Sequence, residues 1–352
     1  MSATSLRPLQ IASRILIFGG IAFVLLYILV LAEPSPEFGG NWRTTSFGSA
    51  LDDWQSFTRT LLNGLTAAGL LFIVASGFSL IFGLMRVVNM AHGSFYLLGG
   101  YIAYEVQQEM TGSGFTVISS EVSTWEWILP ALVAVAVIGA VGLVVQQVFL
   151  RWNQGQELRQ ALITIAISVI LADQVIAHFN DGIAVSLTWP GWTDQLVALP
   201  LLGIDYSVAR LVVLFLGVMV GVCLWAWLHR TRTGMVIRAG VDDQQMTSAL
   251  GVNIQLIFAI AFVVGSSQGA VAAGQDGQWL LNSLVVVIIG GMGSLIGAAA
   301  GSLLYGLVFA FSAVYLPTTG NNCCTQYSIV VTFILLALVL AFRPLGLFGR
   351  AA

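Results

Sequence analysis

Lysine is absent: all 13 basic residues among the 352 are arginine. That removes both a Walker A phosphate-binding lysine and a Schiff-base lysine, so any ATP used in this protein's work is hydrolysed elsewhere. Charge of either sign is scarce, at 8% of residues with a net −3 and no basic block. Nucleic-acid binding therefore lacks its electrostatic footprint. Cysteine is nearly missing too, with Cys223 in an apolar run and Cys323 beside Cys324. Adjacent cysteines rarely bridge each other, and no Cys or His cluster has metal-ligand spacing, so no metal is expected. His92, His178 and His229 are scattered and HExxH does not occur, while the one Gly-x-Ser-x-Gly, at 265–269, lies inside an apolar run and not at the strand-to-helix turn that a nucleophilic serine needs. An intramembrane enzyme has no motif to rest on.

What is abundant is apolar residues, at 58%, and glycine, at 38 residues, a balance that belongs to a polytopic membrane protein. A bilayer core about 30 Å thick calls for about 20 apolar residues per helix. Runs of that kind lie near 13–32, 60–83, 86–105, 127–150, 160–179, 208–228, 253–273 and 326–343. The stretch 279–316 is too long for one span and contains GGMGS at 290–294, so it divides into a short helix ending near Gly290 and a second near 295–316. The expected fold is an all-α polytopic membrane protein of about ten transmembrane helices, some short or interrupted. Its organisation is an N-terminal helix with an outer segment over 1–59 and a single membrane domain over 60–350.

Arginine placement orients this arrangement, because short cytoplasmic loops retain positive charge. With the N-terminus inside, Arg7, Arg14, Arg86, Arg151, Arg159, Arg230, Arg232, Arg238, Arg343 and Arg350 fall on the inner side, against Arg43, Arg59 and Arg210 on the outer. Both termini are thus expected in the cytoplasm. The start of the chain, with two arginines and an apolar core ending in VLA at 30–32, also fits a signal peptide cleaved after Ala32, which would leave nine spans. The outer loops 33–59, 106–126 and 180–207 carry Trp42, Trp54, Trp125, Trp127, Trp189 and Trp192 at the level of an interfacial aromatic belt. Nothing in these loops suggests a separate folded domain.

Polar groups inside apolar runs are the candidate functional residues, since hydrocarbon penalises them unless they face protein or water. Asn89 and His92 in VVNMAHGSFYLLGG share a helix face, and Gly93, Gly99 and Gly100 allow close approach or a helix break. Two readings stand side by side: an interrupted helix beside a translocation path, and a polar cap at the cytoplasmic surface following Arg86. In IIGGMGSLIGAAAGSLLYG, Gly290, Gly291 and Gly293 interrupt the chain, while Gly293, Gly297 and Gly301 form a small-residue stripe. Close packing and a discontinuous transporter helix both account for this pattern. Asp173 is the one carboxylate well within an apolar run, accompanied by Gln174 and His178. It is a functional candidate unless its helix ends early and leaves it at the outer interface. Between Arg230 and Gly251, MVIRAGVDDQQMTSAL reads as a short amphipathic helix, acidic at its centre, at the membrane face. Such a ridge suits another protein's groove.

Four stretches, NMAHGSFYLLGGYIAY, TRTGMVIRAGVDDQQMTSALGVN, VVVIIGGMGSLIGAAAGSLLYGL and the closing AFRPLGLFGR, occur in the order seen in the permease subunits of branched-chain amino acid ABC transporters. The chain resembles that family over roughly residues 60 to 350. The family's urea and short-chain amide permeases share the same motifs. The resemblance implies a bacterial inner-membrane importer subunit. Its partners would be a second homologous permease, two cytoplasmic ATPases and a periplasmic substrate-binding protein. It implies no cofactor bound by this chain, with ATP used by the partner subunits. Asn89, Ala91, His92 and Gly93 match the family's first motif, and Gly290, Gly291, Met292, Gly293 and Ser294 its glycine motif. Ile237 to Gly251, with Arg238, Asp242, Asp243, Gln244 and Gln245, match its ATPase-coupling loop, where relatives often have an acidic residue followed by Glu-Ala-Ala. The implied activity is alternating access without bond chemistry. A secondary transporter is the rival of another class, and Asp173 is its only coupling candidate.

Overall fold

The computed structural model describes residues 54–85, 89–112, 122–153, 156–178, 187–193, 195–200, 203–242, 276–315 and 325–349. The expected spans at 13–32 and 253–273, and the termini, lie outside these residues. Nine α-helices are found among the described residues: α1 (Trp54–Met85), α2 (His92–Thr111), α3 (Thr124–Val145), α4 (Glu157–His178), α5 (Val208–Arg230), α6 (Arg232–Asp242), α7 (Asp276–Gly290), α8 (Leu295–Tyr315) and α9 (Thr325–Phe342). Five stretches are long and apolar enough to cross a membrane: Trp54–Phe82, Thr124–Asn153, Leu158–His178, Val208–Arg230 and Leu295–Tyr315.

α1 is the central helix, packed against α8, α5 and α7. Small residues set these approaches. A side-chain carbon on Gly306 would meet the Gly64 carbonyl and Ala68, and one on Gly217 would meet the backbone of Gly69. Close backbone contact of this kind substitutes for the hydrophobic drive that lipid cannot supply. The hydroxyls of Thr58, Thr60 and Thr66 donate to the carbonyls of Trp54, Ser56 and Leu62 one turn back, so α1 carries them without an unmet group. Leu71, Phe72, Ala75 and Phe78 of α1 join Val285, Val286, Val287 and Ile289 of α7, Tyr305 of α8 and Leu335 of α9 in the largest core cluster.

α2, α3 and α4 form the second group, with Phe95, Ile138, Val145 and Leu150 buried together. A capping box starts α3: Ser123 Oγ accepts the Glu126 N–H, and the Glu126 carboxylate accepts the Ser123 N–H at 2.8 Å. Pro130, one turn into α3, cannot donate to the Glu126 carbonyl. The buried Gln107 of α2 takes that carbonyl with Nε2 at 3.3 Å. The same amide donates to the Thr188 carbonyl and accepts the Thr188 N–H, tying the segment that follows α4 to the bundle. At its other end α3 passes into a π-helical turn, Gln146–Leu150, and a 3-10 turn, Arg151–Asn153.

The segment between α4 and α5 holds an element that an all-helical expectation omits. Strands β1 (Leu196–Leu199) and β2 (Ile204–Ser207) pair antiparallel, with Val197 opposite Tyr206. Pro200 and Gly203 punctuate the turn between them, and each strand is too short to display a readable period of two. Ile204 and Tyr206 are buried on one face of β2, and Tyr206 donates to Asn63 of α1 at 3.1 Å.

Candidate functional site

The polar motif at 89–93 is a buried helix start. The expected span at 86–105 is a helix that begins at His92 and runs to Thr111, preceded by a turn at 89–91. Ala91 occupies the N-cap and offers no side-chain bond. Asn89 caps in its place, since its Oδ1 accepts the Ala91 N–H at 3.1 Å and its carbonyl accepts the His92 N–H at 3.2 Å. The Met90 N–H donates to Thr164 Oγ1 of α4, so the turn is anchored to a neighbouring helix. His92 is buried, with Nε2 3.0 Å from the Val74 carbonyl of α1 and its ring edge-on to Phe78. A carbonyl only accepts, so Nε2 carries the proton and Nδ1 is left as an acceptor. Gly93 lies buried in the first turn of α2, and Ser94 beside it bonds Ser168 of α4 at 2.7 Å.

The glycine motif forms the turn between α7 and α8. Gly291 at φ 104° and Gly293 at φ 80° take backbone conformations that a side chain resists. Ser294 Oγ accepts the Gly297 N–H and caps α8. Gly290 and Gly297 face each other so closely that a side-chain carbon on either would meet the other's carbonyl. The closing motif completes this turn. The N–H groups of Leu347 and Phe348 donate to the carbonyls of Ile289 and Gly290 at 2.9 and 2.8 Å, satisfying acceptors that the end of α7 leaves open. Two motifs separate in sequence are therefore one structural unit.

The segment that the resemblance assigns to ATPase coupling begins as its own helix. Thr231 ends α5 and opens α6: its hydroxyl donates to the Trp227 carbonyl at 2.6 Å and accepts the Gly234 N–H at 3.1 Å. Gly234 packs against the backbone of Trp227 and Leu228 and folds α6 back onto α5. Arg238 and Asp242 belong to α6, while Asp243, Gln244, Gln245 and Gly251 lie outside the described residues. Asp173 is exposed on α4, in the half that ends at His178. The ion-pair geometry there joins His178 to Glu105 at 3.3 Å. Asp173 lies on α4 far along the helix from Thr164, which holds the turn at 89–91, so the two candidate sites are not brought together.

Residue patterns missed three buried glutamines, Gln107, Gln146 and Gln160. The available signal was an amide inside or beside an apolar run, as in GLVVQQVFLRWNQ. A further cluster joins Asn63 and Thr66 of α1 to Tyr206 and Arg210 beside the hairpin.

Comparison with known proteins places these features in context. The model of the family described as the branched-chain amino acid transport system / permease component matches residues 60–340. The high-affinity branched-chain amino acid transport system permease protein BraD of Pseudomonas aeruginosa is 29% identical over 309 residues, covering 84% of this chain and 96% of its own. The high-affinity branched-chain amino acid transport system permease protein LivH of Escherichia coli K12 is 27% identical over 314 residues at the same coverages. A probable branched-chain amino acid transport permease protein of Methanocaldococcus jannaschii is 22% identical, covering 80% of this chain and 89% of its own.

Proposed function

Because the chain belongs to the family of branched-chain amino acid transport permease components, we propose that it carries a branched-chain or other amino acid across the bacterial inner membrane as one subunit of an ABC importer. The observation that carries this reading is the match over 60–340, which includes the turn at 89–91, α6 and the α7–α8 turn. A periplasmic binding protein delivers the solute to the outer end of the bundle. A second homologous permease completes the path, and two cytoplasmic ATPases use ATP. The α6 region transmits their approach, because energy biases two states only through unequal contacts. No bond is made or broken on this chain, and it holds no cofactor of its own.

Uptake of labelled leucine, isoleucine, valine and urea, compared between native cells and cells lacking this chain, tests the proposal. Leucine-type uptake is expected to disappear with the chain, to fail on ATP depletion and to survive a protonophore. Loss of urea uptake alone would assign the urea and amide branch of the family. Uptake that survives ATP depletion but not the protonophore would indicate a secondary transporter.

A further inference from the structure

Three interruptions in helical structure meet at one end of the α2–α3–α4 group: the turn at 89–91, the π and 3-10 turns at 146–153, and the start of α4. They are physically joined. Met90 donates to Thr164, Gln160 Nε2 donates to the carbonyls of Leu150 and Asn153, and Ala91, Phe95, Val145 and Leu150 share one buried cluster. At this junction Asn89, Gln146 and Gln160 are 2%, 0% and 1% exposed.

Their remaining hydrogen-bonding capacity is specific. Asn89 uses Oδ1 on the Ala91 N–H, which fixes the orientation of its amide and leaves Nδ2 without a partner. Gln160 uses Nε2 on two carbonyls and leaves Oε1 open. Gln146 has neither Nε2 nor Oε1 satisfied. The junction therefore offers two amide donors and two carbonyl acceptors that no described group fills, in a setting where unmet polar groups are strongly penalised. Single-turn π segments are often found at functional sites, and this one begins at Gln146.

We propose that Asn89, Gln146 and Gln160 form an uncharged polar subsite that receives the ammonium and carboxylate ends of a zwitterionic amino acid during its passage. The carbonyl oxygens of Gln146 and Gln160 accept from the ammonium, while the amides of Asn89 and Gln146 donate to the carboxylate. A site with donors and acceptors but no formal charge matches a solute whose own charges cancel. It can release that solute more readily than an ion-pairing site. This rests on the reading of the protein as an amino-acid permease.

Gln146→Met and Gln146→Leu replace an amide that makes no bond with apolar groups of similar size, so a structural role and a transport role predict different results. In the complete importer in its native membrane, leucine uptake at saturating binding protein is expected to fall about tenfold or more, as for loss of a hydrogen bond to a charged group. The purified complex is expected to keep its subunits and an equal or higher melting temperature, because an unmet polar group has been removed. Uptake within about twofold of the wild type in either stable variant overturns the subsite. A melting temperature that falls together with uptake in both variants marks Gln146 as structural and also overturns it. A wild-type complex that carries no amino acid refutes the functional reading itself, whatever the variants do.

Discussion

At Gly301 an added methyl group would run into the carbonyl of Val286 and the backbone of Gly290, where α8 crosses α7. At Gly112, which follows α2, an added methyl would meet nothing within 4 Å, but the backbone there has φ 63°. The two glycines are needed for different reasons, and substitution separates them. Gly301→Ala forces two helices apart and is expected to destabilise the folded subunit by about 1–3 kcal/mol, as overpacking does. Gly112→Ala costs only the left-handed backbone preference, about 1 kcal/mol. Thermal denaturation of each purified variant in mild detergent should rank Gly301→Ala well below Gly112→Ala. An equal ranking would mean that α7 and α8 do not meet as closely as this.

Among the elements, α6 depends on two neighbouring residues. Thr231 satisfies one group at the end of α5 and another at the start of α6, and Gly234 lets the two helices fold together. Gly234→Val would place a branched side chain against the Trp227 carbonyl and swing α6 away from α5. The variant is expected to insert in the membrane yet retain about a tenth or less of its ATPase partners on purification, a loss of roughly 1.4 kcal/mol or more. Unchanged recovery of the ATPases would remove α6 from that contact. Elements of this kind were readable in advance where glycine interrupts an apolar run, as at Gly290 to Ser294, because glycine marks a break directly. α2 starts six residues after the expected span does, since Arg86 to Ala91 has the composition of a helix end, and only the bonds of Asn89 and Met90 distinguish a turn. The β1–β2 hairpin and the pairing of Leu347 and Phe348 with α7 had no legible signal. Both are backbone pairings, which leave little trace in side-chain periodicity. The candidate residues at 89–93 and 290–293 were visible as polar or small groups in apolar surroundings. The closing motif's role at the second of these depended on a contact across more than fifty residues.

The whole bundle has two chemically distinct ends. Following the helices along their axes, Arg151, Arg159, Arg230, Arg232 and Arg343 gather at the end that includes the α7–α8 turn and the tail, while Trp125, Trp189, Trp192 and the hairpin lie at the other. Arginine is retained on the cytoplasmic side and tryptophan prefers an interface, so the hairpin end should face outward. The lateral surfaces of α4 and α5 expose Leu162, Ile170, Phe215, Val218 and Val222, as suits helices that face lipid or another permease. Orientation can be read with two cysteines after Cys223, Cys323 and Cys324 are replaced by serine. Asp205 on β2 and Met292 in the α7–α8 turn are both exposed, so Asp205→Cys and Met292→Cys offer one reactive thiol at each end. A membrane-impermeant maleimide applied to intact spheroplasts is expected to label the variant at 205 and leave that at 292 unreacted. Inside-out vesicles should reverse the pattern. The opposite outcome would turn the bundle over and place α6 on the outer face, where no cytoplasmic ATPase could reach it.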